Sequence, residues 1–533
     1  MLFKKHPAIN WKTLLYLGPT ILVLVFYFIQ SLDYNLHDFS NSYFSARMLH
    51  DGIPHTQLFD IYEFNNYIWN LGYTDVLVDF YLNSPFTLAA FYPLSFIENP
   101  YVAKAIFNLI SIFLFIGSVY VLFQKKLNGK YSLLLLLPFV FLISIRNHIL
   151  FGQTYFLIFS LVIFGFLSIE SKREGIGASL LSFSVLLKIF PVFYGVSLLF
   201  YKSWKSIVLA VIIGVVMFLV SIYIIGLPIW ETYFTEILPN AILNNSTVNF
   251  RYNAQSFDVF LKTLFIKDSY YNPNVIFNSE RIYVLLKWLF KSIVIAFAIT
   301  HSFKNKNNLF KLLSIWVVAM FLLQSRTATY AQILWIIPAV CFLNQKANTT
   351  KKLLFLATLF IVCNIPVYQL ESLPILLKFS RLWFTILLAV LFFSGYSAKL
   401  NYKWLLVVLV VLLPLHLGIF KGNEKSNSDY VLDEKEYFLI YDYFEKDGNL
   451  FIKSLGKNGD QTVNTHIPIS SFNEGVSEIN GNQIVLNGKV LIDDYSLKKK
   501  PVLINNNEIY YLTDHRSRRG AYTLKKMNIE RIP

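Results

Sequence analysis

The chain has 533 residues, of which 55% are hydrophobic and only 15% are charged, and its mean hydropathy is +0.50. A soluble protein of this length needs far more charge to cover its surface, so the composition excludes a soluble globular protein and predicts an integral membrane protein. The net charge of +15 does not indicate a nucleic-acid-binding surface, because the basic residues cluster in short segments between apolar runs.

The first apolar run extends from about Thr13 to Leu32 and follows two lysines, without a small-residue cleavage site. It predicts an uncleaved first membrane helix with a cytoplasmic N-terminus. Further runs long enough to span a bilayer, which takes about 20 residues, lie near 101–123, 131–147, 153–170, 204–226, 281–301, 309–324, 329–345, 352–370, 374–396 and 403–420. Residues 1–420 are therefore predicted to form an all-α polytopic membrane domain of about 11–13 transmembrane helices.

Residues 175–201 are apolar but have basic residues at both ends. A single straight helix would place those ends on opposite sides of the membrane, in conflict with the tendency of basic loops to stay on one side. Lys188 and Pro191 lie in the middle of the segment, and proline interrupts a helix. A hairpin of two short helices satisfies the charge rule and gives thirteen passes with an external C-terminus, whereas a straight helix would reverse the side of that C-terminus.

The sidedness of the other loops follows from their basic residues. The loops predicted to be cytoplasmic contain Lys125, Lys126, Lys130, Lys172, Arg173, Lys202, Lys205, Lys304, Lys306, Lys311, Lys346, Lys351, Lys352, Lys399 and Lys403. The largest loops opposite them are 33–83 and 227–280. We expect a multi-pass protein of the inner (plasma) membrane with these two loops on the outer, periplasmic face.

The composition changes after Phe420. Residues 421–533 are polar, carry equal numbers of basic and acidic side chains, and contain Asp-Gly and Asn-Gly turn signals at 447–448, 458–459, 480–481 and 487–488. Short β-rich runs lie at Gln483–Leu486, Lys489–Ile492, Glu508–Leu512 and Ala521–Lys525. This pattern predicts a small soluble all-β domain outside the membrane, in which Tyr510, Tyr511 and Tyr522 either pack in the core or offer stacking faces to a glycan.

Loop 33–83 is acidic and holds the first candidate for chemistry. It contains Asp33, Asp38, Asp51, Asp60, Glu63, Asp75 and Asp79 against a single basic residue, Arg47. Asp38 lies a few residues beyond the first apolar run, at the membrane interface, where partial desolvation makes a carboxylate a stronger base. The alternative is that the acids only solvate an outer loop. No spacing of His, Cys, Asp or Glu indicates a metal site, and Cys341 and Cys363 lie in apolar helices.

Several motifs occur in a fixed order. They are Asp38, Tyr43, Ala46 and Gly52-Ile53-Pro54; Phe80-Tyr81 through Pro85 to Pro93-Leu94; Gly152-Gln153-Thr154; Gly177-Ala178 through Lys188 to Pro191; and Asn253-Ala254-Gln255-Ser256. In this order the motifs resemble glycosyltransferase family 87 of the GT-C superfamily. Two departures stand out: Asn83 replaces a frequent proline, and the loop from Arg326 to Gln332 lacks the histidine that relatives often carry.

The resemblance implies an inverting transfer of a mannose-like hexose, or a pentose, from a polyprenyl-phosphate donor to a lipid or glycan acceptor. It implies that Asp38 is the general base. No cofactor is expected beside the donor, and a divalent ion held by the outer acids is an open alternative that no motif supports. The residues expected to bind donor or acceptor are Tyr43, Tyr81, Gln153, Lys188, Arg251, Asn253, Gln255 and Arg326. Lys188, Arg251 and Arg326 would offset the charge of the departing phosphate. Alternatively, Lys188 only extends its amine to the interface, and Gln153 and Gln255 cap helices.

Two other functions remain open. A polysaccharide polymerase or ligase also combines many helices with a large outer loop. A transporter or flippase of lipid-linked sugars usually shows repeated halves and charges within its spans. No repeat is visible here and the acids concentrate in one loop, which favours the enzyme.

Overall fold

The computed structural model describes residues 11–53, 58–80, 83–127, 131–243, 252–267, 272–345, 348–395, 400–417, 429–432, 437–456, 461–475, 477–480, 483–493, 496–514 and 520–529. The described chain is mostly helical up to residue 417 and all-β from residue 429, which confirms the predicted fold class. The boundary predicted at residue 420 falls outside the described residues and stays a prediction.

The chain divides into two compact units. The helical unit consists of Met1–Phe39, Ala89–Ile224 and Phe250–Pro414. The loop-and-sheet unit consists of Ser40–Leu88, Ile225–Asn249 and Leu415–Pro533. Most of the acidic loop therefore belongs to the same unit as the C-terminal β region.

The helices have the following bounds. In chain order they are α1 Trp11–Leu32, α2 Asp38–His50, α3 Ile61–Asn70, α4 Phe86–Phe91, α5 Pro100–Lys126, α6 Leu137–Val140, α7 Leu142–Phe151, α8 Tyr155–Glu170, α9 Glu174–Leu187, α10 Val192–Tyr201, α11 Trp204–Ile225, α12 Leu227–Thr232, α13 Leu238–Leu243, α14 Phe257–Phe265, α15 Glu280–Lys304, α16 Leu309–Leu323, α17 Ile336–Leu343, α18 Thr349–Asn364, α19 Ile375–Lys378, α20 Ser380–Ser394 and α21 Tyr402–Leu417. Short 3₁₀ turns cover Tyr92–Phe96, Tyr131–Leu136, Tyr252–Ala254, Tyr330–Trp335 and Val367–Leu370.

Four of the described helices, α1, α5, α11 and α15, are long and apolar enough to cross a membrane. A fifth span arises if Ser132–Val140 and Leu142–Phe151, which meet at an angle of 61°, are taken together. The remaining apolar helices are shorter, with 10–17 residues. A multi-pass membrane domain is thus supported, whereas the number of eleven to thirteen passes stays a prediction.

Burial shows which helices form the centre of the helical unit. In α16, twelve of the thirteen residues from Leu309 to Phe321 are buried, the exception being Lys311, and α17 is buried throughout. A helix that is apolar and buried on all sides lies at the centre of a bundle. In α11, by contrast, only 6% of the residues in its most apolar stretch are buried inside the protein, so the side chains of this helix face lipid.

The break predicted in residues 175–201 is confirmed. Helix α9 ends at Leu187, Lys188 is extended, and α10 begins after Pro191. The hairpin itself is not observed: α9 packs against α8, whereas α10 packs against α16. The two halves therefore bury their apolar faces against different helices instead of against each other, and the side on which the C-terminus emerges stays a prediction.

The C-terminal region contains antiparallel sheets. Its strands are β1 Asp429–Tyr430, β2 Leu439–Lys446, β3 Asn449–Leu455, β4 Gln461–Pro468, β5 Phe472–Glu474, β6 Ser477–Asn480, β7 Gln483–Leu486, β8 Lys489–Asp493, β9 Lys498–Ile504, β10 Glu508–Thr513 and β11 Thr523–Asn528. They are arranged as β1-β11-β10-β9-β5, β2-β3-β4 and β6-β7-β8. The turns at 447–448 and 487–488 have positive φ at both residues, as two-residue hairpin turns require.

Three tyrosines of the C-terminal region lie in the core of the sheets. Tyr510, Tyr511 and Tyr522 are all buried, so none of them offers a stacking face to a glycan.

Beside this core, burial alone would raise the pKa of the Asp442 carboxyl, but hydrogen bonds and charge from Lys500 and Lys453 hold that pKa below its ordinary value. This ion cluster therefore stabilises the sheets at neutral pH and is lost as the pH falls through the lowered pKa.

Within the loop-and-sheet unit, the start of α3 packs against the sheets. Ile61 lies in an apolar cluster with Leu439, Leu455 and Ala521. The Tyr62 ring stacks on the Tyr441 ring, with 4.2 Å between centroids. Asp60 caps α3 by accepting hydrogen bonds from the backbone N–H groups of its first turn. The acidic loop is therefore held by the C-terminal sheets as well as by its own helices.

Polar contacts complete this interface. The Nζ of Lys499 lies 2.5 Å from Oδ2 of Asp60. Gly520 has a φ of +75°, and a Cβ built on it would lie 2.8 Å from the backbone nitrogen of Ile61. Only glycine allows the chain to approach α3 this closely with that backbone conformation.

Candidate active site

Two polar residues of α5 fix the corner between α1 and α2. The amine of Lys104, which is buried, donates hydrogen bonds to the carbonyl oxygens of Tyr34, at 3.3 Å, and Asn35, at 2.7 Å. One turn further on, the amide of Asn108 donates to Oγ of Ser31 and to the carbonyl of Ile149. Lys104 and Asn108 are four residues apart and therefore lie on the same face of α5. This face contacts both the corner between α1 and α2 and the end of α7.

Asp38 is the first residue of α2, directly after this corner. Its side chain is 32% exposed, so it is neither fully buried nor freely solvated. The side-chain amide of Gln153 donates a hydrogen bond to its Oδ2. Nδ1 of His37 lies 3.2 Å from its Oδ1, and the His37 ring stacks on the Phe151 ring. The carboxylate is thus held from two directions and remains open to solvent.

The turn that carries Gln153 depends on Gly152. Helix α7 ends at Gly152, which has a φ of +66°, and a Cβ there would lie 2.5 Å from Cβ of Phe39. The absence of a side chain lets the turn between α7 and α8 come against the first turn of α2. Gln153 reaches the carboxylate from this turn, which argues against its being only a helix cap.

Aromatic side chains surround this pair. The ring of Tyr330 lies 5.3 Å from that of Tyr155 and 6.5 Å from that of Phe151, between centroids. The ring of Phe190 stacks on Tyr155 at 5.6 Å. Asp38 interacts electrostatically with both tyrosines. Aromatic faces beside a carboxylate suit the recognition of a sugar ring or a prenyl chain.

Lys188 also belongs to this region. It caps the end of α9 in an extended conformation, three residues before Pro191. Its amine interacts electrostatically with Asp38. The structure therefore brings together three of the residues predicted from sequence, namely Asp38, Gln153 and Lys188.

Asn253 and Gln255 form a different cluster. The amide nitrogen of Gln255 donates to the carbonyls of Tyr252 and Lys378, and its amide oxygen accepts from the backbone nitrogen of Arg381. The side-chain amide of Gln255 is thus used in joining the segment before α14 to the start of α20. We infer an architectural role for Gln255 rather than the substrate contact expected from sequence.

Arg381 was not found from the sequence. Its guanidinium is only 2% exposed and donates to the carbonyl of Thr327, the hydroxyl of Thr329 and the carbonyl of Asn253. Among the described residues, no carboxylate pairs with it and its Nε makes no hydrogen bond. Arg381 therefore fixes the segment between Arg326 and Tyr330 through neutral oxygens.

Arg326 lies at the start of that segment and interacts electrostatically with Tyr330. Because Tyr330 also interacts with Asp38, Arg326 is linked to the Asp38 region through this ring. The loop in which relatives often carry a histidine thus contributes a tyrosine to the site.

The other predicted residues lie elsewhere. Tyr43 belongs to the loop-and-sheet unit, where it is buried and its ring packs edge to face on Phe44. Burial raises the pKa of the Tyr43 hydroxyl, against the opposing charge of Arg47. Tyr81 and Arg251 lie outside the described residues.

No group of three or more His, Cys, Asp or Glu side chains within the described ranges is arranged to hold a metal ion. That the reaction needs no metal or cofactor stays a prediction. The residues that sequence reasoning did not assign are His37, Tyr155, Tyr330, Lys104 and Arg381. Tyr155 had the clearest signal, because it directly follows the Gly152-Gln153-Thr154 motif.

The comparison with known families agrees with the ordered motifs. Residues 81–325 match the model of glycosyltransferase family 87. The match supports the resemblance to glycosyltransferase family 87 over these residues. This family match covers just under half of the chain and contains Gln153 and Lys188, whereas Asp38 precedes it and Arg326 directly follows it. No curated protein and no solved structure matches the chain. The family match and the apolar helices together support a membrane glycosyltransferase.

Proposed function

We propose that the protein is a family 87 glycosyltransferase that transfers a mannose-like hexose, or a pentose, from a polyprenyl-phosphate donor to a lipid or glycan acceptor, with inversion at the anomeric carbon. The observation that carries the proposal is the arrangement around Asp38: a half-exposed carboxylate that Gln153 and His37 orient beside Tyr155 and Tyr330. A base needs both access to its substrate and a fixed direction.

In the proposed step, a hydroxyl of the acceptor attacks the anomeric carbon of the donor. The bond between that carbon and the phosphate oxygen breaks, and polyprenyl phosphate leaves with the bonding electron pair. Asp38 takes the proton of the attacking hydroxyl. Attack from the face opposite the leaving group gives the inverted configuration. The hydrogen bond from Gln153 holds the carboxylate of Asp38 in one orientation, and we propose that this orientation directs it at the acceptor.

The departing phosphate gains negative charge, which a nearby cation stabilises most in the transition state. Lys188 is our first candidate for this cation, because its amine interacts electrostatically with Asp38. Arg326 is the second, through its proximity to Tyr330. Arg251 stays a proposal from sequence. Tyr43 and Asn253 stay proposals from sequence, as does Tyr81, which lies outside the described residues.

We further propose that the N-terminus is cytoplasmic and that Asp38 and the C-terminal sheets face the outside of the inner membrane, as the basic loops indicate. Single cysteines test this in intact cells. Cysteines at the exposed positions Asn70 and Val463 should react with an impermeant reagent from outside, and one at Lys306 should not. The native Cys341 and Cys363 are buried and give little background. Labelling at Val463 only from the inside would reverse the proposed side of the sheets.

The activity is tested with the purified protein and a panel of polyprenyl-phosphate sugars, mannose first, in the presence of cell-envelope extract. We expect release of polyprenyl phosphate and a glycosylated product from one member of the panel. A transporter would release no polyprenyl phosphate, and a polymerase or ligase would consume donors that already carry an oligosaccharide. Either outcome would overturn the proposal.

A further inference from the structure

His37 lies beside the proposed base in a fixed orientation. Its Nδ1 is 3.2 Å from Oδ1 of Asp38. Its ring stacks on the Phe151 ring, with 3.8 Å between centroids and 7° between the ring planes. The backbone of His37 has a φ of +47°, in the left-handed region that few residues other than glycine adopt. Because the side chain is also 39% exposed, the imidazole reaches both the carboxylate and solvent.

The surroundings of the ring hold it in this position. On one side, the amine of Lys104 on α5 fixes the corner before His37 through the carbonyl oxygens of Tyr34 and Asn35. On the other side, Phe151 is the last residue of α7. The described charged or titratable groups on these packed elements are Asp38, Tyr34 and Lys104, whose amine lies 5.5 Å from the centroid of the Tyr34 ring. The carboxylate is therefore the group that Nδ1 faces directly.

The groups around Asp38 differ in whether they can take up a proton. Besides His37, the described groups that contact it or interact electrostatically with it are Gln153, Lys188, Tyr155 and Tyr330. A side-chain amide is not basic, tyrosine hydroxyls carry their protons at neutral pH, and the amine is assigned to the departing phosphate. Imidazole changes its charge between about pH 5 and 8. Among these described neighbours, the imidazole is thus the suitable acceptor for a proton held by Asp38.

From this geometry we propose that His37 relays the proton of the attacking hydroxyl from Asp38 to solvent, so that turnover depends on the protonation state of an imidazole. The relay rests on the proposed transfer. As the acceptor oxygen bonds to the anomeric carbon, its O–H bond breaks and the proton passes to Asp38. The carboxylic acid gives this proton to Nδ1 of neutral His37, and the imidazolium loses its Nε2 proton to water. Exchange with water then restores the Nε2–H form for the next turnover.

The relay provides a stronger base than a carboxylate alone. Imidazole ordinarily binds a proton more tightly than a carboxylate does, and a base is most effective when it titrates near the working pH. The proton therefore moves from a weaker to a stronger base and leaves Asp38 ready for the next acceptor. When the solution becomes acidic, His37 is already protonated and cannot accept, so the enzyme slows.

The test measures kcat for polyprenyl phosphate release by the purified full-length protein over the range in which histidine titrates. His37→Asn keeps a polar side chain beside Asp38 but cannot carry the proton. We expect kcat at neutral pH to fall by about tenfold or more, since general acid–base groups contribute about 10²–10⁴-fold. The acid limb of the kcat profile should move to lower pH, because only Asp38 must then be deprotonated. His466→Asn, at a half-buried position of β4, should keep the wild-type profile.

His37→Gly separates the relay from a packing role. Glycine adopts the positive φ without strain, and loss of the ring leaves room beside Phe151. Added imidazole should restore part of the lost kcat, whereas pyrazole, which has the same shape but is hardly basic, should not. An acid limb that stays in place in His37→Asn, or equal effects of imidazole and pyrazole on His37→Gly, would overturn the relay. A wild-type protein that releases no polyprenyl phosphate would instead overturn the proposed transfer on which the relay rests.

Discussion

The side-chain amide of Gln153 donates a hydrogen bond to the carboxylate of Asp38, although 115 residues separate them. The contact joins the start of α2 to the turn between α7 and α8, and thus connects the acidic loop to the region that matches family 87. A carboxylate oriented in this way can serve as a base without losing access to solvent.

Gln153→Glu tests this contact through pH. It places a second carboxylate beside Asp38, and adjacent carboxylates share one proton, so the pKa of the pair rises. Because the base must be deprotonated, the acid limb of the kcat/KM profile should move to higher pH. Gln369→Glu, at an exposed position of the same unit, should leave the profile in place. An unchanged profile in Gln153→Glu would mean that Asp38 is not the titrating base.

Gly152→Ala should separate Gln153 from Asp38 without changing either residue. The added Cβ meets Phe39 at 2.5 Å, and the positive φ adds a cost of about 1–2 kcal/mol. We expect a large loss of kcat together with a lower melting temperature. Gly52→Ala is the matched control, because Gly52 has a similar φ of +72° and open space around it. If both variants lose activity equally, backbone strain and not the approach to Phe39 is responsible.

Arg381→Lys tests whether the hydrogen bonds of Arg381 are needed to hold the segment from Arg326 to Tyr330 in place. Lysine keeps the charge but cannot reach Thr327, Thr329 and Asn253 together. We expect a lower kcat with donor binding less affected, because the loop that carries Tyr330 is released. Arg281→Lys, at an exposed position on α15, should behave as the wild type. A normal kcat in Arg381→Lys would mean that Arg381 contributes only to packing and not to the position of Tyr330.

Much of the fold follows from local patterns in the sequence. Apolar runs locate the membrane helices, Pro191 locates the break after α9, and the Asp-Gly and Asn-Gly pairs locate the turns at 447–448 and 487–488. These features depend on short stretches of chain, so they are readable without tertiary contacts. The packing of α9 and α10 on different helices depends on tertiary contacts and was not predicted, and the return of the two halves to one side of the membrane stays a prediction.

The site was only partly predictable, for the same reason. Asp38, Gln153 and Lys188 belong to ordered motifs, and the structure brings them together. Arg381 lies outside every motif and acts through hydrogen bonds to residues more than 50 positions away. Gln255 belongs to a motif, yet its amide is used in backbone contacts. Such roles depend on which chain segments meet, which a single sequence does not state.

Gly520→Ala tests the packing of the acidic loop on the C-terminal sheets. The new Cβ would lie 2.8 Å from the backbone of Ile61, which cannot move aside as a flexible side chain would. We expect faster hydrogen exchange in α3 than in the wild type. Gly475→Ala has a comparable φ of +80° and open surroundings, so it measures the strain alone. Equal exchange of α3 in the two variants would show that the loop does not depend on this contact.

The most direct test of the account is the rate at which purified Asp38→Asn protein releases polyprenyl phosphate from the donor that the wild type uses. We expect a loss of about 10²–10⁴-fold, the usual contribution of a general base, with donor binding and melting temperature close to wild type. Asp75→Asn, which removes an exposed acid of the same loop, should retain full activity. Near-normal release by Asp38→Asn would contradict the account and move the search for the base to Asp33.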